Sequence, residues 1–478
     1  VTIAISYACD GFAQTTDYFY WLSMVRGKSL RAQRRSVAFV LGAGLLILLW
    51  VAGGASRADV MGQPVVRLGA WIALIAALLA GQRLALGSAK APATLLLAGV
   101  VLVALQLVPL PPALWSALPG RDIFLRAAEV TGQPQPWRPI SISPGATLNS
   151  LMALIVPAAV LYLAAQMSLK EHWRFLKLLV GLIAASALLA LAEFTGQPLD
   201  HPFVNDVPTM ISANFANRNH LALLLSFGLV GVFALASEGR KPNWAPFAAL
   251  AAAVFMGLAI LSTGSRAGLL VGLIAAVIGL ITGRRALSDS LGKLTPKMRI
   301  LAVIAVTAAI SGLLLAAVAF DRAASFERVA TLSVEDDLRL RSQPVVIRTI
   351  WDYFPVGAGF GTFDPAYRIN EPDTLLSPKY FNRAHNDWLE ILFEAGLAGA
   401  ALMIAAVGWF VTRTYRVWRE DEAEILPRLG SAFLGLTLVA SAFDYPARTP
   451  LIMAIGMIAA VWLARRDCVL DETRGGAS

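Results

Sequence analysis

The chain is poor in the residues on which most soluble and metal-dependent enzymes rely. Of its 478 residues, two are cysteine and four are histidine. Cys9 and Cys468 stand at opposite ends, so neither a disulfide framework nor a cysteine metal cluster is expected. Charge is scarce as well: 15% of residues are Asp, Glu, Lys or Arg, against about a quarter in a soluble domain. No Walker loop, dinucleotide fingerprint, HExxH or GxSxG lies in a workable context, which argues against nucleotide hydrolysis and against a metal or cofactor. Internal repeats are lacking too, which argues against a solenoid.

Hydrophobic residues are abundant instead, at 57% of the chain, and the mean hydropathy is +0.65. Apolar runs of nearly the length that crosses a bilayer recur about a dozen times. The net charge of +9 is spread through short loops between those runs. It therefore reads as a topology signal rather than a nucleic-acid footprint, and the partner it implies is a lipid bilayer. The expected fold is an all-α polytopic membrane protein with about 12 transmembrane helices and one large loop on the non-cytoplasmic side.

Spans are expected near 37–53, 66–81, 92–108, 150–167, 175–193, 218–236, 245–262, 267–283, 300–320, 388–412, 429–446 and 450–464. Lys and Arg gather in the segments between alternate spans, among them Arg284, Arg285, Arg465 and Arg466, which sets both ends in the cytoplasm. The organisation is then a cytoplasmic tail 1–36, a bundle 37–320 holding spans 1–9 and an outer segment 109–149, a large outer loop 321–387, spans 10–12 in 388–464, and a cytoplasmic tail 465–478. The basic run from Arg26 to Arg35 abuts the first span without a cleavage site, and Met24 just before it is a candidate start. The segment 109–149, rich in proline and tryptophan, is expected to lie along the membrane surface.

Titratable groups at the mouth of a membrane helix are costly and by default functional. His385 stands where NRAHNDWLEILFEAGLAG enters the tenth span, with Asn386, Asp387, Glu390 and Glu394 close behind. Histidine takes a proton near neutral pH and suits activation of a hydroxyl nucleophile, with Glu390 or Asp387 to orient the imidazole. On a helix Asn386, Glu390 and Glu394 share one face, at intervals of four. The plainer reading of Asn386 and Asp387 is a helix cap. Arg218 in ANRNH and Arg266 in STGSRAG each sit where an outer loop enters a span. A guanidinium beside small residues at a helix N-terminus suits phosphate, though an arginine there also snorkels to lipid headgroups. The large loop adds Arg339, Arg341 and Arg348, and nine aromatics from Trp351 to Trp388. Among them Trp351 and Phe363 are candidates to stack on sugar rings, although an interfacial aromatic belt needs no substrate.

In order along the chain come the SRAG turn, R–x–x–W–D–Y–F–P–V–G–A–G–F–G–T–F and AHNDWLEILFEAGLAG. This succession resembles the O-antigen ligase and Wzy-type polymerase superfamily of bacterial inner-membrane glycosyltransferases, over about 217–268 and 340–400. The resemblance implies a GT-C-like helical enzyme that needs no metal and takes an undecaprenyl-diphosphate-linked glycan as donor. The acceptor is the lipid A core for a ligase, or another glycan on its carrier for an O-antigen or exopolysaccharide polymerase. It also implies that Arg218 and Arg266, with Arg339, Arg341 and Arg348 less closely matched, hold the donor diphosphate, and that His385 activates the acceptor on the periplasmic side. Asn386, Glu394, Trp351 and Phe363 are then left to contact sugar. A lipid-linked oligosaccharide flippase also fits twelve spans, but transporters tend to show related halves and helices broken near the midplane.

Overall fold

The computed structural model describes residues 37–196, 200–205, 210–239, 242–301, 334–376, 381–420 and 424–465, with a few positions between 304 and 315; for 334–340 it describes backbone alone. Helices dominate. In chain order they are α1 (Val37–Ala52), α2 (Gly62–Leu79), α3 (Lys90–Leu105), α4 (Pro112–Ser116), α5 (Asp122–Thr131), α6 (Pro144–Ala153), α7 (Ile155–Gln166), α8 (Leu169–Phe194), α9 (Arg218–Ala236), α10 (Ala245–Ser262) and α11 (Arg266–Gly292). After the large loop begins come α12 (Val334–Tyr353), α13 (Phe363–Asn370), α14 (Asp387–Arg419), α15 (Ile425–Ala440) and α16 (Pro450–Ala464).

Eight helices are long and apolar enough to cross a membrane, and α1, α15 and α16 are shorter apolar helices. Most of the expected span 300–320 lies outside the described residues. The expected span 429–446 ends early, at Ala440, because Ser441, Asp444 and Pro446 follow and turn the chain. The expected span 267–283 runs on to Gly292, since Arg284, Arg285 and Asp289 continue the helix beyond its apolar part. Prolines fix the segment between α3 and α7: Pro109 and Pro111 follow the end of α3, and Pro144 opens α6 at a first-turn position that needs no N–H.

At the centre of the bundle stands α9, which packs against α8, α10, α11 and α15. Its sequence has no charge after Arg218, and 89% of its apolar window is buried. A helix apolar on every side belongs inside a large core. Phe227 of α9 stacks on Phe433 of α15 with ring centroids 4.6 Å apart. On its far side α15 meets α16, whose Trp462 is fully buried and donates to His172 Nδ1 at 3.1 Å.

A second core lies in the loop regions. Val346, Ile350 and Tyr353 share one face of α12 and pack with Phe363, Tyr367, Phe381 and Phe393. The segment 109–149 is more than a surface strip: it is folded onto this cluster. Its short strands β1 (Pro109–Leu110) and β2 (Arg138–Pro139) pair antiparallel. Arg121, 1% exposed, lies 5.5 Å from the Trp115 ring and 5.4 Å from the Tyr353 ring, and donates to the carbonyls of Pro119 and Ile140. Burial lowers its pKa to about 10, with Tyr353 acting the other way. An arginine held between two rings and two carbonyls is a strut between segments far apart in sequence.

Candidate active site at a broken helix

The site begins with a defect in α14. Gly396 has φ +51° and ψ −135°, so the helix breaks inside the apolar run. Three of the backbone groups at the break find partners in neighbouring segments. Leu397 N–H donates to Pro355 O at 2.8 Å, Phe393 O accepts from Ala358 N at 3.0 Å, and Glu394 O accepts from Gly359 N at 2.9 Å and Gln106 Nε2 at 2.9 Å. An irregular backbone at membrane depth is tolerated only where protein satisfies it in this way. This explains the glycines of PVGAGFGTF. A Cβ on Gly357 would lie 2.6 Å from Glu394 O, and one on Gly396 would lie 2.1 Å from Pro355 O. The loop also reaches the 109–149 segment, where Ile142 N donates to Ala358 O and Thr147 Oγ1 to Phe360 O.

Around the break sit three buried carboxylates, Asp387, Glu390 and Glu394, gathered by one arginine. Arg448 Nη2 lies 2.7 Å and Nη1 3.2 Å from the two oxygens of Glu394. The same guanidinium is 3.4 Å from Glu390 and 3.4 Å from Asp387. Burial opposes its charge, but Glu390, Glu394 and Asp387 together overcome this and raise its pKa. Glu390 also binds Arg383 at 2.9 Å and accepts from Ala384 N at 3.0 Å. Glu394 accepts from Gly361 N at 2.7 Å, and Asp387 from Ser441 Oγ at 2.9 Å. The helix face read from the sequence is therefore real for Glu390 and Glu394, but its lone pairs are committed to holding the loop, the break and Arg448.

His385 is set one residue before this cluster in a left-handed conformation, φ +49°, which is uncommon for a residue with a side chain and stores strain of about 1–3 kcal/mol. Its Nδ1 lies 3.1 Å from Asp444 Oδ1. Phe381 and Tyr445 flank the ring at 5.3 Å and 5.0 Å. The carboxylate at the imidazole is thus Asp444. Glu390 and Asp387, expected to orient the ring, hold the backbone on either side of it instead: Glu390 through Ala384 N, Asp387 through Ser441 and Ala447.

Asp444 also reaches the mouths of two further helices. Its Oδ2 accepts from Asn217 Nδ2 at 2.7 Å and Asn219 Nδ2 at 2.5 Å. Asn219 Oδ1 in turn accepts from Ser265 Oγ at 2.6 Å. Asn217 caps α9 and Ser265 caps α11, and the residues that follow these caps are Arg218 and Arg266. A Cβ on Gly264 would lie 3.9 Å from Arg218 Nη1, so the Arg218 guanidinium lies over the 262–266 turn. One hydrogen-bond chain, His385–Asp444–Asn219–Ser265, thereby joins the three segments that carry Arg218, Arg266 and His385. Two helix N-termini, each with an arginine in its first turn, favour an anion.

The other expected contacts fall elsewhere. Arg341 and Arg348 are on the exposed face of α12, opposite Val346 and Ile350, with Arg341 donating to Thr374 O at 3.0 Å. Arg339 shares that helix, and its side chain lies outside the described residues. Phe363 is not available to a sugar: it is 2% exposed, stacked on Tyr367 and edge-on to Phe393. Asn386 is a cap, accepting from Trp388 N and Leu389 N and donating to Ala442 O. Glu394 is fully buried, with both oxygens bonded, and offers nothing to an acceptor. Trp351 is 66% exposed and remains open to a ligand.

Sequence reading passed over Asp444 and Arg448, both in FDYPAR between the last two spans. Asp444 had been absorbed into the span 429–446, although an acid in an apolar run is by itself a functional signal.

Fold and site together define a class: a mostly helical protein with eight candidate membrane-spanning helices, and with a histidine–aspartate pair and two arginine-bearing helix mouths in one hydrogen-bond network. Residues 251–404 match the family model described as O-Antigen ligase. The matched segment runs from α10 to the first half of α14 and takes in Arg266, His385, Glu390 and Glu394, so the resemblance carried by SRAG and AHNDWLEILFEAGLAG is borne out there. Similarity to that family over this segment suggests a membrane glycosyltransferase-type enzyme with O-antigen ligase or related polymerase activity. No curated protein matches the chain.

Proposed function

We propose that this protein is an O-antigen ligase-like, GT-C-like glycosyltransferase of the bacterial inner membrane. It moves a glycan from an undecaprenyl-diphosphate carrier to a sugar hydroxyl, on the lipid A core or a similar acceptor, at the periplasmic face. The observation that carries this reading is the network joining His385, through Asp444 and Asn219, to the helix mouths of Arg218 and Arg266.

In this mechanism Asp444 accepts a hydrogen bond from the Nδ1–H of His385 and so leaves Nε2 as the base. As the acceptor hydroxyl attacks the anomeric carbon, its proton passes to Nε2. The new glycosidic bond forms while the bond to the carrier diphosphate breaks, and the diphosphate departs with the electron pair. Arg218, Arg266 and the N-termini of α9 and α11 stabilise that charge as it develops, which is the role in which fixed positive groups contribute most to rate. Arg339, Arg341 and Arg348, on the outward helix α12, are assigned to the glycan-diphosphate as it arrives rather than to the bond that breaks. A Wzy-type polymerase would use the same donor and attack, with another carrier-linked repeat as acceptor.

The test is glycan transfer by purified protein from a lipid-linked donor. His385→Ala should lower transfer about 10²–10⁴-fold with protein level and donor unchanged. Near-normal transfer by that variant removes the mechanism. Deletion in cells separates the two acceptors: loss of a ligase leaves long polymer on the carrier, whereas loss of a polymerase leaves single repeats.

A further inference from the structure

A cavity of about 570 Å³ lies beside the site, between α3, α14, α15 and α16, and neither Arg218, Arg266 nor His385 lines it. Its volume is in the range of ligand pockets, about 300–1,000 Å³. Along α14 it extends from Trp388 to Phe410. On the unbroken helix α3 the lining runs from Pro92 to Val103, roughly 16 Å at a helical rise of about 1.5 Å per residue, enough for part of a hydrocarbon chain. Its length is walled by apolar or small residues, among them Leu96, Gly99, Ala406 and Gly456. Its polar residues gather at one end, where α14 begins.

At that end the arginines are not equivalent. Arg383 is paired with Glu390, and Arg448 with Asp387, Glu390 and Glu394. Arg67, from α2, meets no carboxylate among the described residues. It donates to two neutral amide oxygens, Asn149 Oδ1 at 2.8 Å and Gln63 Oε1 at 3.0 Å, and its Nε is buried without a partner. A guanidinium so placed is not neutralised by an ion pair and has N–H groups to spare. The complement of an apolar slot with one arginine outside any ion pair at its polar end is a hydrocarbon chain with an anionic head, and the planar fork of arginine favours phosphate.

We infer that this cavity seats the hydrocarbon chain of a phosphate-headed lipid, with Arg67 at the phosphate. The inference stands apart from the transfer chemistry, because it concerns Arg67 and the slot rather than His385 and its network.

Native mass spectrometry of the full-length protein, released from detergent with added lipid, tests it. The probes are undecaprenyl phosphate, dioleoyl phosphatidylglycerol, undecaprenol and inorganic phosphate. Both phosphate-headed lipids should be retained, undecaprenol about tenfold less, and inorganic phosphate not at all. Tighter retention of undecaprenyl phosphate assigns the seat to the carrier lipid, and tighter retention of phosphatidylglycerol to the bulk bilayer. Arg67→Gln should lower retention of both about tenfold. Gly456→Phe should do the same by filling the slot, because a Cβ there meets nothing within 4 Å and the helix has room for it. The two variants act on different helices of the lining, so misfolding of one leaves the other decisive. Undecaprenol bound as well as its phosphate overturns the assignment to Arg67. Unchanged retention in both variants overturns the seat itself, while leaving the transferase reading to its own assay.

Discussion

Asp444 Oδ1 lies 3.1 Å from His385 Nδ1, although 59 residues separate the two in the chain. The other Asp444 oxygen is held by Asn217 and Asn219, so the carboxylate cannot swing away from the ring without breaking two hydrogen bonds. In the transferase reading Asp444 is a positioning residue that acts through the imidazole.

Asp444→Asn separates orientation from charge. In the orientation that keeps the amide oxygen on the Asn217 and Asn219 donors, the amide nitrogen replaces the Oδ1 that accepts from Tyr445 N and faces His385 Nδ1. That nitrogen can only donate, so the imidazole would be forced to carry its proton on Nε2 and would lose its base. Transfer should fall by about 10³–10⁴-fold in kcat, with little change in donor KM, as in hydrolytic triads where the same exchange sets the wrong tautomer. A rise in KM at unchanged kcat would show Asp444 to be a binding group instead.

Much of this site was legible in the sequence, and the omissions have a physical pattern. Hydrophobic runs mark helices, so the spans near 245–262 and 450–464 coincide with α10 and α16. His385, Arg218 and Arg266 stood out because charge at a helix mouth is expensive. Which acid meets His385 did not stand out, because His385 precedes the helix in a left-handed conformation and the acids that follow it on α14 bond elsewhere. Glu390 and Glu394 looked like site residues for a sound reason, their burial in an apolar run. The partner that neutralises them, Arg448, comes from a different hairpin, and no local pattern announces it. Phe363 likewise has the composition of a sugar platform and the location of a core residue; periodicity does not separate these for an aromatic in a loop.

Gly396 tests the broken helix. An added Cβ would lie 2.1 Å from Pro355 O and would occupy a positive φ, so Gly396→Ala should destabilise by more than the roughly 1 kcal/mol of the backbone effect alone. Gly408, further along the same helix, has nothing within 4 Å of its virtual Cβ. Gly408→Ala should stabilise by about 0.5–1 kcal/mol. Thermal unfolding of the two variants in one detergent compares them, and similar unfolding temperatures would mean that α14 tolerates straightening.

Arg448 tests the carboxylate cluster. Its removal leaves Asp387, Glu390 and Glu394 facing one another with Arg383 as the remaining cation. Arg448→Met should therefore cost about 3–5 kcal/mol, the usual penalty for stranding buried charge. Glu394→Gln should cost less, because the amide can still accept from Arg448 while two acids remain to balance it. If both variants unfold at the same temperature, the cluster is not held by Arg448 in the way its distances imply.

Arg266→Lys tests how the diphosphate is held. Lysine keeps the charge in the first turn of α11 and so keeps the long-range attraction, but it replaces a planar fork by a point donor. If the guanidinium bridges two oxygens of the carrier diphosphate, the variant should lose both paired hydrogen bonds at the step where charge develops. The expected loss is then about 10–100-fold in kcat/KM, from charge-assisted bonds worth about 1.5–3 kcal/mol each and only partly replaced by the ammonium. Arg218→Lys should behave in parallel, because its guanidinium lies over the same 262–266 turn. The double variant should lose less than the product of the two, since groups that share one network and one ligand are not additive. Purified protein, a fixed donor concentration series and initial rates suffice to measure this. If both lysine variants transfer at the wild-type rate, charge alone is enough, and the two arginines serve the membrane surface rather than the leaving group.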